Sequence, residues 1–369
     1  MAESRLHELS ARGVSVWIDY LSRDLLETGE LKRMMDEDAV VGVTSNPTIF
    51  QKVISHGNAY DEQLKELLVH EQDAKEIFLH LAVRDVESAL DLLAPVHEAN
   101  PQDGYVSIEV DPNFAYETKA TYDEAIRLHE WIDRPNCYVK IPGTEPGLQA
   151  IEDCIAAGRS INVTLLFSLQ RHQEAMEAYL RGLERLVEGG GDPAKVRSVA
   201  SFFVSRVDTE TDKRLEAIGT DDALALRGKL AVANAKLAYE NYLKAFSGLR
   251  WEALLAKGAL PQRCLWASTS TKNPAYRDVL YVEELVGPDT VNTMPEETIQ
   301  AFQDHGEVRG DTVLEGVDGA HRLFEQLAVA GIDYDDVVAT LEKEGVQKFS
   351  DSFAELLAGV QAKREAVAA

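Results

Sequence analysis

Short runs rich in β-branched residues alternate along this chain with longer stretches in which apolar positions recur every three or four residues. The short runs read as strands: Val14–Asp19, Ala39–Asn46, Gly104–Asp111, Cys137–Pro142, Ser160–Ser168, Arg197–Ser205, Arg263–Ser268 and Asp289–Met294. The longer stretches, among them Thr118–Trp131, Leu169–Leu186 and Asp222–Phe246, are dominated by Ala, Leu, Glu and Lys and predict helices. Eight strands joined by helical crossovers predict an α/β fold, a (β/α)8 TIM barrel, as a single domain over residues 1–369. The interval Phe50–Asn100 is too long for one crossover helix, so extra helices are expected between the second and third strands. A C-terminal helical extension is expected from about residue 296, with Val346–Gln361 crossing the barrel mouth. Gly189–Gly191 marks a loop between a helix and a strand, without a glycine fingerprint for phosphate.

The strands carry polar residues where a covered, filled barrel calls for apolar ones. Period-two alternation places Val14, Val16 and Ile18 on one face of the first strand, opposite Ser15, Trp17 and Asp19. In the third strand Val106, Ile108 and Val110 oppose Tyr105, Ser107 and Glu109; in the fourth, Val139 and Ile141 oppose Lys140. Asn162 and Thr164 oppose Val163, Leu165 and Phe167 in the fifth. If the apolar faces meet the helices, Asp19, Glu109, Lys140, Asn162 and Thr164 converge on the barrel axis, toward the C-terminal strand ends where such barrels place their active sites. An isolated buried charge costs several kcal/mol, so such a set persists because it is paired or because it does chemistry.

Charge narrows the partners. With 63 acidic against 37 basic residues the formal net charge is -26, a field that repels nucleic acid and anionic membranes. An anionic substrate therefore needs a local concentration of cations. The three cysteines, Cys137, Cys154 and Cys264, have no CxxC spacing, and the nine histidines no HExxH or HxH spacing, so no metal is expected. No GxSxG elbow is present. Residues Met1–Arg12 lack the apolar core of a signal peptide, and no run is long enough to span a bilayer, which leads us to expect a cytoplasmic protein.

A buried amine is more readily neutral, hence nucleophilic toward a carbonyl, which makes Lys140 the candidate for covalent chemistry. On pattern alone Asp19 and Glu109 either neutralise Lys140 or serve the proton transfers of imine chemistry. Asn46, before Pro47, is either a strand-ending turn or a ligand for substrate hydroxyls. Arg206 follows Ser205, and Lys272 follows the run Ser268–Thr271, small polar strand ends where hydroxyls and backbone N–H groups bind phosphate. Surface ion pairing is the alternative for both cations.

Val43-Thr44-Ser45-Asn46-Pro47, Val106-Ser107-Ile108-Glu109-Val110, Val139-Lys140-Ile141-Pro142, Asn162-Val163-Thr164-Leu165-Leu166-Phe167-Ser168 and Ser201-Phe202-Phe203-Val204-Ser205-Arg206, in this order, resemble the transaldolase family. The resemblance runs from about Val14 to Gln300. It implies Lys140 as the Schiff-base lysine, Asp19 as the acid/base for the hydroxyl proton in carbon-carbon cleavage, and Glu109 with Thr164 as the pair positioning a water. It implies substrate-hydroxyl contacts for Asn46, Asn162 and Ser201, a phosphate site at Arg206 and Ser268, and no cofactor. Many relatives place an arginine shortly after the position of Ser268, where this chain has Lys272, so Lys272 is expected to substitute for it. The implied reaction moves a dihydroxyacetone unit from sedoheptulose 7-phosphate to glyceraldehyde 3-phosphate, by a monomer or homodimer. A class I aldolase of the fructose-6-phosphate aldolase type and a non-catalytic sugar-phosphate-binding barrel are the alternatives. Glu109 and Phe203 favour transfer, because the aldolase branch carries glutamine and tyrosine at the matching places.

Overall fold

Each of the eight expected strands forms, the fourth with the bounds expected and the other seven shorter than the sequence pattern suggested. In the computed structural model they are β1 Val14–Ile18, β2 Val40–Val43, β3 Tyr105–Glu109, β4 Cys137–Pro142, β5 Ile161–Leu166, β6 Ser198–Phe203, β7 Arg263–Ala267 and β8 Thr290–Met294. They close in chain order into one parallel barrel, β8 returning to β1 through the register Val14↔Thr290 to Ile18↔Met294. The structure describes residues 4–55, 58–71 and 73–368; the ends of the expected 1–369 domain, and residues 56, 57 and 72 of the expected insertion, lie outside the described residues. Shortening leaves Asp19, Asn46 and Ser268 just beyond their strands, in the loops at the C-terminal mouth, and Ser205 at the start of the helix that follows β6.

The barrel is filled rather than hollow. Tyr105 and Tyr138 stack at 4.1 Å between ring centroids, with Trp17 6.2 Å from Tyr138. Gly42 makes room for Trp17: a Cβ there would come within 2.4 Å of the indole. At the N-terminal end the buried Arg263 donates to Ser15 Oγ at 2.8 Å and pairs with Asp103, sealing the floor. Aromatic bulk below leaves polar side chains as the upper layer, where a ligand can enter.

Two expectations change. The stretch Asp222–Phe246 is not one helix but two, Asp221–Leu224 and Leu230–Ala245. Gly228 sits between them at φ +69°, its N–H bonded to Asp212 Oδ1 at 2.8 Å, a left-handed turn that suits glycine and stops a helix. In β5, Leu165 has φ +58°, and the pairing with β6 shifts between Val163 and Leu166. Val163 and Leu166 therefore lie together against Gly143, while Leu165 and Phe167 turn to Gly345 on the C-terminal helix. A left-handed residue inserts a bulge, and the alternation that set Leu165 beside Val163 ends there.

The insertion after β2 consists of three helices, Pro47–Ser55, Asp61–Leu67 and Ala74–Ala99. A buried network ties it to the chain after β1. Arg23 Nε donates to Asp85 Oδ1 at 2.6 Å and Nη2 to Gln63 Oε1 at 2.7 Å, while Tyr60 Oη donates to Asp85 Oδ2 at 2.8 Å. Removing one partner of a buried ion pair leaves the other uncompensated, at about 3–5 kcal/mol. Asp85→Ala is accordingly expected to lower the urea midpoint by that free energy at an unchanged slope; an unaltered midpoint would show that the network adds nothing to stability.

The C-terminal helix begins at Tyr334, earlier than the expected Val346, and runs to Ala368. It crosses the mouth over the helix Pro47–Ser55, where Thr48 Oγ1 donates to Ser352 Oγ at 2.8 Å. Phe353 packs edge-on against Phe78 at 5.7 Å, joining the extension to the insertion. No described helix is long and apolar enough to cross a membrane.

Candidate active site

Strand register builds the centre of the site. Glu109 on β3 pairs with Lys140 on β4, and Lys140 with Asn162 on β5, so three polar side chains stand in one row inside the barrel. Lys140 is 4% and Glu109 8% exposed. The ammonium Nζ lies 3.5 Å from Glu109 Oε2 and donates to the Ser45 carbonyl at 3.0 Å. Ser45 in turn donates to the Ser107 carbonyl at 2.7 Å, holding the β2 end toward β3. Both carboxylate oxygens of Glu109, and Thr164 Oγ1 two residues further along β5, have no hydrogen-bond partner among the described residues. Buried polar atoms are ordinarily paired, so three such atoms around one amine point to a ligand or water that they bind.

A cavity opens above this row, lined by Asp19, Asn46, Lys140, Thr164, Ser201, Phe203, Arg206, Ser268 and Lys272 of the expected residues. Glu109 and Asn162 stand behind the lining. Ser201 Oγ donates to Asn162 Oδ1 at 2.7 Å, and Asn162 Nδ2 to Ser107 Oγ at 3.1 Å, a chain across β6, β5 and β3 that orients Ser201. Asn46 stands after its strand, at a helix start, and also lines the cavity. Its Oδ1 accepts from the Ile49 N–H at 3.0 Å at the start of the helix Pro47–Ser55, which leaves the amide NH2 for the cavity.

Asp19 accepts from Thr44 Oγ1 at 2.7 Å, and Thr44 is 2.6 Å from Thr293 Oγ1. Burial raises the Asp19 carboxyl above its ordinary value, against Lys140, the Thr44 bond and Arg206; Glu297 adds to the rise. Burial likewise raises Glu109, to about 7, although Lys140 opposes it. Two carboxyls thus flank one amine, at least one of them poised to take or give a proton near neutrality.

Cations gather at the outer end. Arg206 opens the helix Ser205–Ile218, its guanidinium 5.0 Å from the Phe203 ring centroid, so the positive end of that helix faces the cavity. Ser268, at φ +56°, turns its hydroxyl to Ser205 at 2.9 Å, and Lys272 donates to Ser270.

Sequence reasoning missed Thr44, Thr293, Glu297, Lys52, Lys348 and Phe349, all of which line the same cavity. Thr44 stood inside a quoted motif, and the phase of Asn46 could have led to its neighbour. Lys348 and Phe349 carried no local signal, because they arrive on a helix distant in sequence.

A parallel barrel with a buried lysine and two carboxyls at its C-terminal mouth has the makeup of a lysine-dependent enzyme acting on carbonyl compounds. The chain belongs to the transaldolase/fructose-6-phosphate aldolase family, whose model matches residues 16–360. It is 53% identical over 353 residues to the transaldolase of Frankia alni, with 95% of each chain covered. It is 54% identical over 356 residues to that of Acidothermus cellulolyticus, covering 96% of this chain and 95% of the other. To the transaldolase of Mycobacterium leprae it is 52% identical over 365 residues, covering 98% and 97%.

Proposed function

We propose that the chain works as a transaldolase in which Lys140 forms the Schiff base, moving a dihydroxyacetone unit from sedoheptulose 7-phosphate to glyceraldehyde 3-phosphate. The products are erythrose 4-phosphate and fructose 6-phosphate. The observation that carries this reading is Lys140 itself, buried 3.5 Å from Glu109 beneath a cavity that Asp19 also lines. Its amine attacks the C2 ketone to give a carbinolamine, which loses water to become a protonated imine. Asp19 takes the C4 hydroxyl proton, the C3–C4 bond breaks, and the electron pair moves into the imine as an enamine. The aldose phosphate leaves, the enamine attacks the acceptor aldehyde, and hydrolysis frees Lys140. Glu109 and Thr164 hold the water that is lost and regained. Asn46, Asn162 and Ser201 serve the sugar hydroxyls, and Arg206, Ser268 and Lys272 the phosphate. No metal or organic cofactor is needed, since the imine is the electron sink.

We read residues 1–369 as one barrel domain, monomeric or homodimeric, acting on free sugar phosphates in the cytoplasm. The formal charge of -26 disfavours nucleic-acid and anionic-membrane partners.

Borohydride with fructose 6-phosphate is expected to leave a covalent three-carbon adduct on Lys140, located by peptide mass spectrometry; no adduct removes the Schiff-base reading. Sustained release of free dihydroxyacetone without an acceptor aldehyde would instead favour the aldolase reading. Phe203 supports transfer, since a phenyl ring cannot supply the proton that the tyrosine of the aldolase branch supplies.

Glu109 makes the reaction pH-dependent. With its carboxyl at about 7, kcat/KM should gain along an acidic limb near that pH as the base form appears, and Glu109→Gln should remove the limb. A limb of unchanged midpoint in the glutamine variant assigns it elsewhere. The stability sign is opposite. The ordinary value is 4.5, so between about 4.5 and 7 the folded state holds a proton that the unfolded state has lost, and the contribution of Glu109 to stability falls as pH rises through that window.

A further inference from the structure

The C-terminal helix contributes a cation to the outer end of the cavity. Lys348 lines the cavity above Lys140, and also a neighbouring one that shares Arg206, Ser268 and Lys272 with it. It forms no hydrogen bond or ion pair among the described residues. Glu344 precedes it by one helical turn, in the favoured order for an i,i+4 pair, yet the two do not pair. Lys348 faces instead toward cations: burial lowers its affinity for a proton, and Arg206, Lys272 and Lys52 lower it further. Arg206, Lys272 and Lys348 gather at one end of the cavity and repel one another, offset in part by Glu344 and Glu210 in the neighbouring cavity and by Glu297 in this one. An anion bound among the three cations relieves that repulsion.

We propose that Lys348 is a phosphate-binding residue, so that the phosphate of a sugar phosphate bridges the barrel cations Arg206 and Lys272 to the C-terminal helix. The assignment rests on the reading of this cavity as a sugar-phosphate site. Arg206 stands on the helix after β6 and Lys272 in the loop after β7, while Lys348 comes from the element that crosses the mouth. Substrate phosphate thereby holds the C-terminal helix against the barrel while the opposite end of the sugar reaches Lys140. Because Lys348 is exposed, water screens its contribution, and the expected effect is moderate.

The test compares Lys348→Met, Lys348→Arg and Lys343→Met, the last removing the same charge from the same helix outside this cavity. Inorganic phosphate, titrated calorimetrically at constant ionic strength, is expected to bind Lys348→Met about fivefold more weakly than the wild type, on the scale of one partly screened charge-assisted hydrogen bond. Lys348→Arg should stay within about twofold and Lys343→Met should be unchanged. The KM for fructose 6-phosphate should rise by the same factor as the phosphate Kd, with kcat preserved. Borohydride trapping of dihydroxyacetone, which has no phosphate, should proceed equally in Lys348→Met and wild type. The assignment is overturned if phosphate binds Lys348→Met as tightly as the wild type, if the wild type does not bind phosphate, if Lys343→Met weakens binding as much, or if trapping of dihydroxyacetone falls in step. Loss of phosphate binding in Lys348→Met together with no adduct on Lys140 in the wild type would uphold Lys348 as an anion-binding residue and overturn the transaldolase reading instead.

Discussion

Lys140→Met is expected to lower kcat/KM by roughly four orders of magnitude or more and to abolish the borohydride adduct, because Lys140 is the amine paired with Glu109, while Lys272 and Lys348 stand with Arg206 at the other end of the cavity. Lys140 sits in a row set by the β3–β4–β5 register, and the cations at the outer end belong to other elements. Methionine is close to lysine in length and fits the apolar strand, so the fold should persist. Phosphate binding provides the internal control: inorganic phosphate should still bind the variant, since Arg206, Lys272 and Lys348 are untouched. Residual transfer activity above about one per cent of wild type, on the rate scale set by loss of a nucleophile, would mean that the covalent role belongs elsewhere.

Asp19→Asn should divide the reaction at its middle. The amide keeps the shape and can still accept from Thr44, which lies 2.7 Å from the carboxylate, but it cannot take the C4 hydroxyl proton. Loss of a general base costs typically about 10²- to 10⁴-fold, so kcat should fall by that range. On the proposed mechanism imine formation uses Glu109 and Thr164 rather than Asp19, and the variant should therefore accumulate an unbroken ketose on Lys140. Borohydride trapping would then yield the six-carbon adduct of fructose 6-phosphate in place of a three-carbon one. Normal turnover in this variant, or a three-carbon adduct formed at the wild-type rate, would relieve Asp19 of its role. The raised carboxyl of Asp19 is consistent with a group that holds a proton within the reaction cycle.

Much of this site is legible in the sequence, for reasons that differ by residue. Strand alternation is local: a side chain two positions along points the same way whatever the strand pairs with. That is why Glu109 could be set opposite Ile108, and Lys140 opposite Val139 and Ile141, from the sequence. The same logic failed at Leu165, where a left-handed residue breaks the period, and at Asp222–Phe246, where Gly228 ends what composition alone would continue. In both places one backbone dihedral overrode a regional pattern. Lys272 was legible as a cation following small polar residues, whereas Lys348 was not. An isolated lysine on an amphipathic helix looks the same whether it faces bulk water or a cavity.

Local sequence is enough to set the number and order of the strands, the alternation with helices that makes the sheet parallel, and the shared phase of Asp19, Glu109, Lys140 and Thr164. Those properties follow from periodicity and short-range sterics, which each segment carries alone. Tertiary structure decided that Glu109, Lys140 and Asn162 share one row, that Ser45 receives the lysine's hydrogen bond, and that a helix from the far end of the chain brings Lys348 to the cavity. Register and helix docking depend on contacts between residues tens to hundreds of positions apart. They exist only once the barrel has closed and the long loops between its strands have given up their freedom.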